Sequence, residues 1–149
     1  MELTRDMLLV IFFFAGWNVL ESLTFGHTTR LIPGHPSNIS KNDTCLKKAV
    51  LAGTYAFNNQ SNDLFLFKPS AIDAAQRQII KGIRYIADVE VTRTVCRKNE
   101  HDEDLVNCDF QPDGSLYQTF DCHFEVWVAP WLHLMKTTYF LCRPKTGTT

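Results

Sequence analysis

The chain has 149 residues, 45% of them hydrophobic and 21% charged, and a formal net charge of −1. This length has room for one domain with a single core. Because the charge is balanced and no basic stripe is interleaved with aromatic residues, nucleic acid is not an expected partner.

The N-terminus has the pattern of a secretory signal, in which a single early arginine precedes an apolar run over residues 7–14. The alternative, a membrane anchor, is disfavoured because Asn18 and Glu21 interrupt the run short of the ~20 apolar residues that a span needs. We therefore expect a secreted protein that does not bind membranes once the signal is removed. The expected plan is a signal over 1–26, whose end lies between 22 and 26, and one domain over 27–149.

Three sequences match the N-glycosylation pattern Asn-x-Ser/Thr. They begin at Asn38, Asn42 and Asn59, all in one part of the expected domain. Glycans fit an exported chain, so the clustered sequons support secretion.

The domain is predicted to begin with an extended arm and a helix. Two prolines and a glycine between residues 28 and 36 exclude a helix there. In an extended arm, Leu31 and Ile32 would be exposed to solvent unless another surface buries them. Asp43 and its neighbours then offer an N-cap. Gly53 lies on the apolar stripe that follows, where a small side chain would let a sheet pack close. Three- and four-residue spacing predicts an amphipathic helix ending near residues 58–59, with Leu46, Ala49, Val50, Gly53, Ala56 and Phe57 on its stripe.

Two long strands are predicted after the helix. Residues 64–67 indicate a strand, and Pro69 indicates a bulge or a sheet edge. Residues 70–78 alone would also suit a helix, but we predict a strand because the following strand needs an antiparallel partner. Strict alternation indicates that following strand and predicts an inward face of Ile83, Tyr85, Ala87, Val89, Val91 and Val95.

The last third of the chain predicts a loop, a turn and two more strands. Residues 97–110 are charged and irregular between two cysteines, and 111–114 indicate a turn. Alternation over 116–128 predicts a strand, which residues 129–131 interrupt before a last strand over 139–142. The predicted fold class is α+β, an antiparallel β-sheet wrapped around one long α-helix, with the arm available as a fifth strand.

Two predicted turns share one end of this sheet. The first is the tip Gln78-Ile79-Ile80-Lys81-Gly82, whose glycine allows a tight reversal and the close approach of a partner; an ordinary hairpin turn is the alternative. The second contains Pro130 and Trp131, and this tryptophan is either an exposed anchor or a core residue. The arm around Gly34 is expected to join the two tips.

Five cysteines indicate two local bridges and one leftover thiol. Four of them, Cys96, Cys108, Cys122 and Cys142, lie in the C-terminal half, whereas Cys45 stands alone. Zinc binding is the competing use, but there is no C-x-x-C pair and no histidine at ligand spacing. No metal and no cofactor are therefore expected.

Taken together, these elements resemble the type 2 cystatins, secreted inhibitors of papain-like cysteine proteases. Residues 78–82 match the family's Q-x-V-x-G with isoleucine for valine at Ile80, Pro130-Trp131 match its P-W, and Gly34 stands where the N-terminal glycine is expected. The similarity runs from about residue 30 to 142, and three spaced elements with four cysteines are far more specific than any one motif.

The resemblance implies the cystatin fold, disulfides Cys96–Cys108 and Cys122–Cys142, and reversible occlusion of a protease cleft by a wedge. The implied partners are papain-like cysteine proteases, the cathepsins, met outside the cell or in an endosomal or lysosomal pool. The residues implied to contact them are Leu31, Ile32, Pro33, Gly34, Gln78, Ile79, Ile80, Lys81, Gly82, Pro130 and Trp131.

A second site is implied after the helix. Ser61, Asn62 and Asp63 resemble the loop through which some type 2 cystatins block legumain, an asparagine-specific protease; a plain helix-ending asparagine is the alternative. A glycan on Asn59 would crowd this loop. We expect a monomer, with Cys45 near the helix start available for a disulfide-linked dimer.

Two other classes of function are alternatives to a protease inhibitor. An enzyme, a thiol hydrolase using Cys45 with His101, His123 or His133, is disfavoured because no cysteine lies in a papain-type C-G-[SA]-C-[WY] setting. A cystatin-fold protein that has lost inhibition and serves as an extracellular binding or signalling module is the stronger alternative. The retained residues of both tips argue against it.

Overall fold

The computed structural model of the chain describes residues 34–100 and 104–146. One α-helix packs on one face of a five-stranded antiparallel sheet with strand order β1-β2-β3-β4-β5. The predicted α+β class is confirmed, and the arm supplies the fifth strand. The elements are β1 (Ser37–Asn38), α1 (Thr44–Gln60), β2 (Phe65–Ile79), β3 (Ile83–Arg97), β4 (Thr119–Ala129) and β5 (Leu134–Pro144), with short 3₁₀ turns at Leu105–Asn107 and Pro130–Leu132.

The helix begins at its predicted cap and buries most of its predicted stripe, but Ala56 of that stripe is only half-buried. The Asp43 carboxylate accepts a hydrogen bond of 2.8 Å from the Leu46 backbone N–H and so satisfies one of the free donors of the first turn. At the other end, the Ser61 N–H donates to the Phe57 carbonyl. The buried face consists of Leu46, Ala49, Val50, Gly53, Thr54, Phe57 and Asn58.

A close approach between helix and sheet forms the centre of the core. A Cβ atom added to Gly53 would lie 2.7 Å from Cγ of Phe124, so only glycine leaves room for that ring. The Phe57 ring packs against Phe67 and Phe120 at centroid distances of 5.4 and 5.3 Å. The Asn58 side chain completes the contact by donating to the Phe67 carbonyl and accepting from its N–H.

The ambiguous segment over residues 70–78 is strand, as predicted. It forms part of the long hairpin β2–β3, in which Ile79 pairs with Ile83 at the tip. The register shifts between Pro69 and Ala71, which confirms the bulge predicted at Pro69.

The predicted alternation of β3 is wrong at its far end. Val95 was expected inward, yet it is 46% exposed, whereas Thr94 is completely buried. The cause is a change of partner, because β4 pairs with β3 only as far as Thr92 and the segment after Cys108 then takes its place. There the Thr94 hydroxyl donates to the Leu66 carbonyl, and Gln111 donates to the Thr94 carbonyl.

Four further expectations for the last third of the chain need correction. The turn predicted over 111–114 lies instead over 114–117, and Gln111 is buried against β3. Leu105 is fully buried, although the segment over 97–110 was expected to be an exposed loop. Leu116 is exposed in a turn closed by the Tyr117 N–H and the Gly114 carbonyl, so β4 starts at Thr119. The last strand is longer than expected, because pairing along β4 carries it from Leu134 to Pro144.

Two disulfides join neighbouring segments of this half, Cys96–Cys108 and Cys122–Cys142, the pairing that the family resemblance implies. The second links directly paired residues of β4 and β5. None of the helices in the described part of the chain has the length and hydropathy needed to cross a bilayer. The expected signal over residues 1–26 lies outside the described residues.

We predict that Gly53→Ala destabilises the protein by about 1–3 kcal/mol. Alanine is the better helix former by up to ~1 kcal/mol, but its Cβ would have to displace Phe124 in a close-packed core. Urea unfolding followed by circular dichroism measures the change. Lys48→Ala on the exposed face of the same helix is the control and should stay within about 0.5 kcal/mol of the parent. A more stable Gly53→Ala protein would show that the helix can move away from the sheet.

Candidate functional site

Three segments that are distant in sequence meet at one end of the sheet. Ile83 at the start of β3 pairs with Ile79 on one side and with Val128 on the other, which places the β2–β3 tip beside the β4–β5 tip. The arm reaches the same end, because the Gln78 side chain donates to the Gly34 carbonyl at 2.7 Å. We call this surface, formed by Gly34, residues 78–82 and residues 130–132, the tip surface.

The first tip requires its glycine for two reasons. Gly82 has φ of +121°, a conformation that residues with a side chain rarely adopt. A Cβ atom there would also lie 2.7 Å from both Nε1 of Trp127 and the Val128 carbonyl oxygen. Lys81 precedes it with φ of +39°, so the reversal is tight and leaves Ile79 and Ile80 exposed.

Gln78 acts as a brace between the arm and the hairpin. Besides donating to the Gly34 carbonyl, the Gln78 side chain accepts a hydrogen bond at its amide oxygen Oε1 from Arg84 Nη1 at 3.3 Å. Arg84 in turn forms an ion pair with Glu125 on β4. A chain of polar contacts therefore runs from the arm across β2, β3 and β4. The polar side chain of Gln78 connects the arm to the first tip within the tip surface.

The arm is anchored immediately after Gly34. This glycine has φ of +90°, and β1 then pairs with β2 through Ser37 and Asn38. The Ile39 N–H donates to the Ala75 carbonyl and extends the pairing. Three of the implied contact residues, Leu31, Ile32 and Pro33, lie outside the described residues.

The second tip presents its tryptophan to solvent. Ala129 is fully buried and ends β4, after which Pro130–Leu132 form one 3₁₀ turn closed by the His133 N–H and the Pro130 carbonyl. Trp131 is 62% exposed, so the alternative that it closes the core does not hold.

Sequence reasoning missed two contributors to the tip surface. Trp127 lies directly behind Gly82, and Leu132 is exposed beside Trp131. The outward parity of Trp127 in β4 was visible in the sequence, but its position against Gly82 depends on the β3–β4 register. With Ile79 and Ile80, these side chains make an apolar surface on a rigid end of the sheet, which is typical of an interaction site.

The loop of Ser61, Asn62 and Asp63 lies at the opposite end, next to the last residues of β3. Asp63 accepts from Arg93 Nη2 at 2.5 Å, and Lys98 Nζ donates to the Ser61 carbonyl at 2.5 Å. Burial lowers the pKa of Lys98, and the Asp63 carboxylate opposes this shift. Asn62 remains exposed between two fixed neighbours.

Cys45 is the free thiol of the described region and is exposed. It sits in the first turn of α1, where Leu46 points into the core, as the helix stripe predicts. Burial raises the pKa of Tyr85, and the neighbouring Cys45 and Asp43 act in the same direction. All three sequon asparagines, Asn38, Asn42 and Asn59, are exposed.

Neither His123 nor His133, the described candidate partners of Cys45, is hydrogen-bonded to it. His123 bonds Asp88 at 2.7 Å on the outer face of the sheet, away from the helix, and His133 lies beyond the second tip; His101 is outside the described residues. The outer face also carries three carboxylates close enough to share a cation, Asp73, Glu90 and Asp121. The Lys145 ammonium already pairs with Glu90 there.

Comparison with known proteins decides the family. The cystatin-domain family model matches residues 34–131, a segment that runs from the arm glycine to Trp131. The chain belongs to the cystatin family. It is 43% identical to mouse Cystatin-F over 111 residues (74% of this chain, 76% of the relative) and 44% identical to human Cystatin-F over 114 residues (76% and 78%).

A solved structure agrees with this assignment. The crystal structure of dimeric human cystatin F superimposes on the present structure with a TM-score of 0.73 at 40% identity. The match covers 84% of this chain and 98% of the human cystatin F chain. Cystatins are protease inhibitors, so the expectation that the chain is not an enzyme is confirmed by its family.

We predict that Cys45 is alkylated by iodoacetamide in the folded protein, because its thiol is free and exposed. Mass spectrometry should find one labelled site before reduction, and Cys45→Ser should abolish it. The same variant should remove any covalent dimer seen on a non-reducing gel. Labelling that appears only after unfolding would show that the thiol is packed.

Proposed function

We propose that this cystatin reversibly inhibits papain-like cysteine proteases by inserting the tip surface into the protease cleft. The observation that supports this most directly is the convergence of Gly34, the Gln78–Gly82 tip and Trp131 at one end of the sheet. We further propose that the chain is secreted after removal of residues 1–26 and also meets cathepsins in endosomes or lysosomes.

The proposed contact divides into two sides. The two hairpin tips would fill one half of the cleft with apolar side chains, and the arm residues Leu31, Ile32 and Pro33 would occupy the other half. The positive φ of Gly34 supports a bend between arm and sheet that carries the main chain past the catalytic thiol. No peptide bond would then be presented for attack, so the inhibitor is expected to be released uncut.

Rigidity supports tight binding at these tips. The Gln78 brace, the Gly82–Trp127 contact and the short turn after Ala129 fix the tip surface before any partner arrives. A preformed surface loses little conformational entropy on binding. Exposed Trp131 combines large area with few rotatable bonds and is the expected hot spot.

We propose legumain as a second target, bound through Asn62. The bonds of Ser61 and Asp63 to Lys98 and Arg93 support a fixed, exposed asparagine. This loop and the tip surface lie at opposite ends of the sheet, so the two proteases would not compete. The alternative function, an extracellular binding module without inhibition, would leave the exposed apolar tips without a protease partner.

We predict that Trp131→Ala and Gly82→Glu each weaken inhibition of papain and cathepsins while the fold survives. Removing a buried aromatic anchor from an interface typically costs ~2 kcal/mol or more, a loss of roughly thirtyfold in affinity. Glutamate at position 82 would be strained by the positive φ and would collide with Trp127. Inhibition constants and melting temperatures are measured on the same preparations.

Leu141→Ala is the matched control, since Leu141 is also exposed but lies further along β5, away from the tips. It should inhibit like the parent. A Trp131→Ala protein that inhibits like the parent, or that unfolds, contradicts the anchor role; inhibitor recovered in cleaved form contradicts reversible occlusion.

For the second target, Asn62→Ala should weaken legumain inhibition at least about tenfold and leave papain inhibition unchanged, because the recognised amide is lost. Asn99→Ala, an exposed asparagine in the turn after β3, is the control. Asn59→Gln, which removes the nearby sequon, should strengthen legumain inhibition. If Asn62→Ala and the parent inhibit legumain equally, or neither does, this second target is wrong.

A further inference from the structure

An apolar groove lies outside both proposed protease surfaces. It has a volume of about 450 Å³ and runs between α1, the Pro69 bulge of β2 and the loop closed by Cys96–Cys108. This size is in the range of small-molecule sites in proteins. We call it the helix groove and define it by six of its lining residues: Lys47, Lys48, Leu51, Ile72, Val106 and Phe110.

The walls of the helix groove are apolar and accessible. Leu51 and Ile72 form its floor from the helix and β2, and Val106 and Phe110 close it from the disulfide loop. Val106 is 66% exposed and Phe110 39% exposed, although both stand over this cavity. Apolar side chains exposed around a concave surface indicate a binding site for an apolar group.

The rim of the groove is positively charged. Lys47 and Lys48 line it from the start of α1, Lys68 lines it from β2, and none of the lining residues in the described chain is acidic. Lys68 is already engaged, because its ammonium donates to the Cys108 carbonyl and lies 4.4 Å from the Phe110 ring centroid. Lys47 and Lys48 are exposed.

The position of these two lysines is unfavourable for the helix alone. The N-terminal end of a helix carries partial positive charge, which disfavours cations there and favours anions. The first turn of α1 contains no acidic residue, and the capping Asp43 is bonded to the Leu46 N–H. A bound anion beside Lys47 and Lys48 would relieve this repulsion. The charge pattern therefore indicates a ligand with an anionic head group, and the apolar walls indicate that the rest of the ligand is apolar.

We propose that the helix groove binds the monomeric anion of a medium-chain fatty acid such as laurate, with its alkyl chain between α1 and the disulfide loop and its carboxylate beside Lys47 and Lys48. The cavity volume fits one such molecule, and one acidic head group matches the lysine pair. The proposal does not depend on protease inhibition, because the groove shares no residue with the tip surface or with the Asn62 loop.

The test is isothermal titration calorimetry of the full-length chain with laurate below its micelle concentration. Saturable binding with one molecule per chain is expected, and dodecyltrimethylammonium, which has the same tail and opposite charge, should bind at least about tenfold more weakly. Lys47→Gln/Lys48→Gln should lower laurate affinity by up to about tenfold, since each exposed ion pair contributes at most about fivefold. Val106→Asp should also lower the affinity for laurate, because it adds a negative charge at the groove that repels the carboxylate.

Lys136→Gln/Arg143→Gln on β5 is the charge-matched control and should leave laurate affinity unchanged. The proposal is overturned if laurate binding does not saturate or if both amphiphiles bind equally. It is also overturned if the control variant loses as much laurate affinity as Lys47→Gln/Lys48→Gln does. It is also overturned if light scattering shows a dimer that Val106→Asp dissociates, because a second copy of the chain then covers the groove.

Discussion

The register of the three central strands is the constraint on which the functional surface depends. Ile83 pairs with both Ile79 and Val128, so two reversals separated by about fifty residues of sequence end side by side. A shift of one residue would turn every side chain of a strand to the other face. It would also remove Trp127 from behind Gly82 and take Trp131 away from the first tip.

The register is held in place by packing on the inner face of the sheet. Phe124 on β4 fits under Gly53, and the Phe57 ring packs against Phe67 and Phe120. Because the core is closely packed, a shifted strand would leave cavities and overlaps at once. The same residues that stabilise the fold therefore position the tips, although none of them belongs to the tip surface.

The sheet separates three surfaces that differ in chemistry. One end carries exposed apolar tips and the Gln78 contacts, the other carries Asn62 between two anchored neighbours, and the helix groove combines apolar walls with two exposed lysines. Because the three surfaces share no residues, although they share strands, a substitution in one is expected to leave the other two unchanged. This independence is what makes the matched control variants informative.

The sequence by itself determined the family, the helix with its Asp43 cap, the two tips and the fold class, because periodicity, capping and short motifs are local signals. It could not determine which way Thr94 and Val95 face, where β4 begins, or whether Trp131 is exposed. These depend on which segment pairs with the end of β3 and on the β3–β4 register, both set by contacts between residues far apart in the chain. Trp127 behind Gly82 and the helix groove were likewise decided only by tertiary structure, since each joins elements whose spacing is fixed by packing of the whole core.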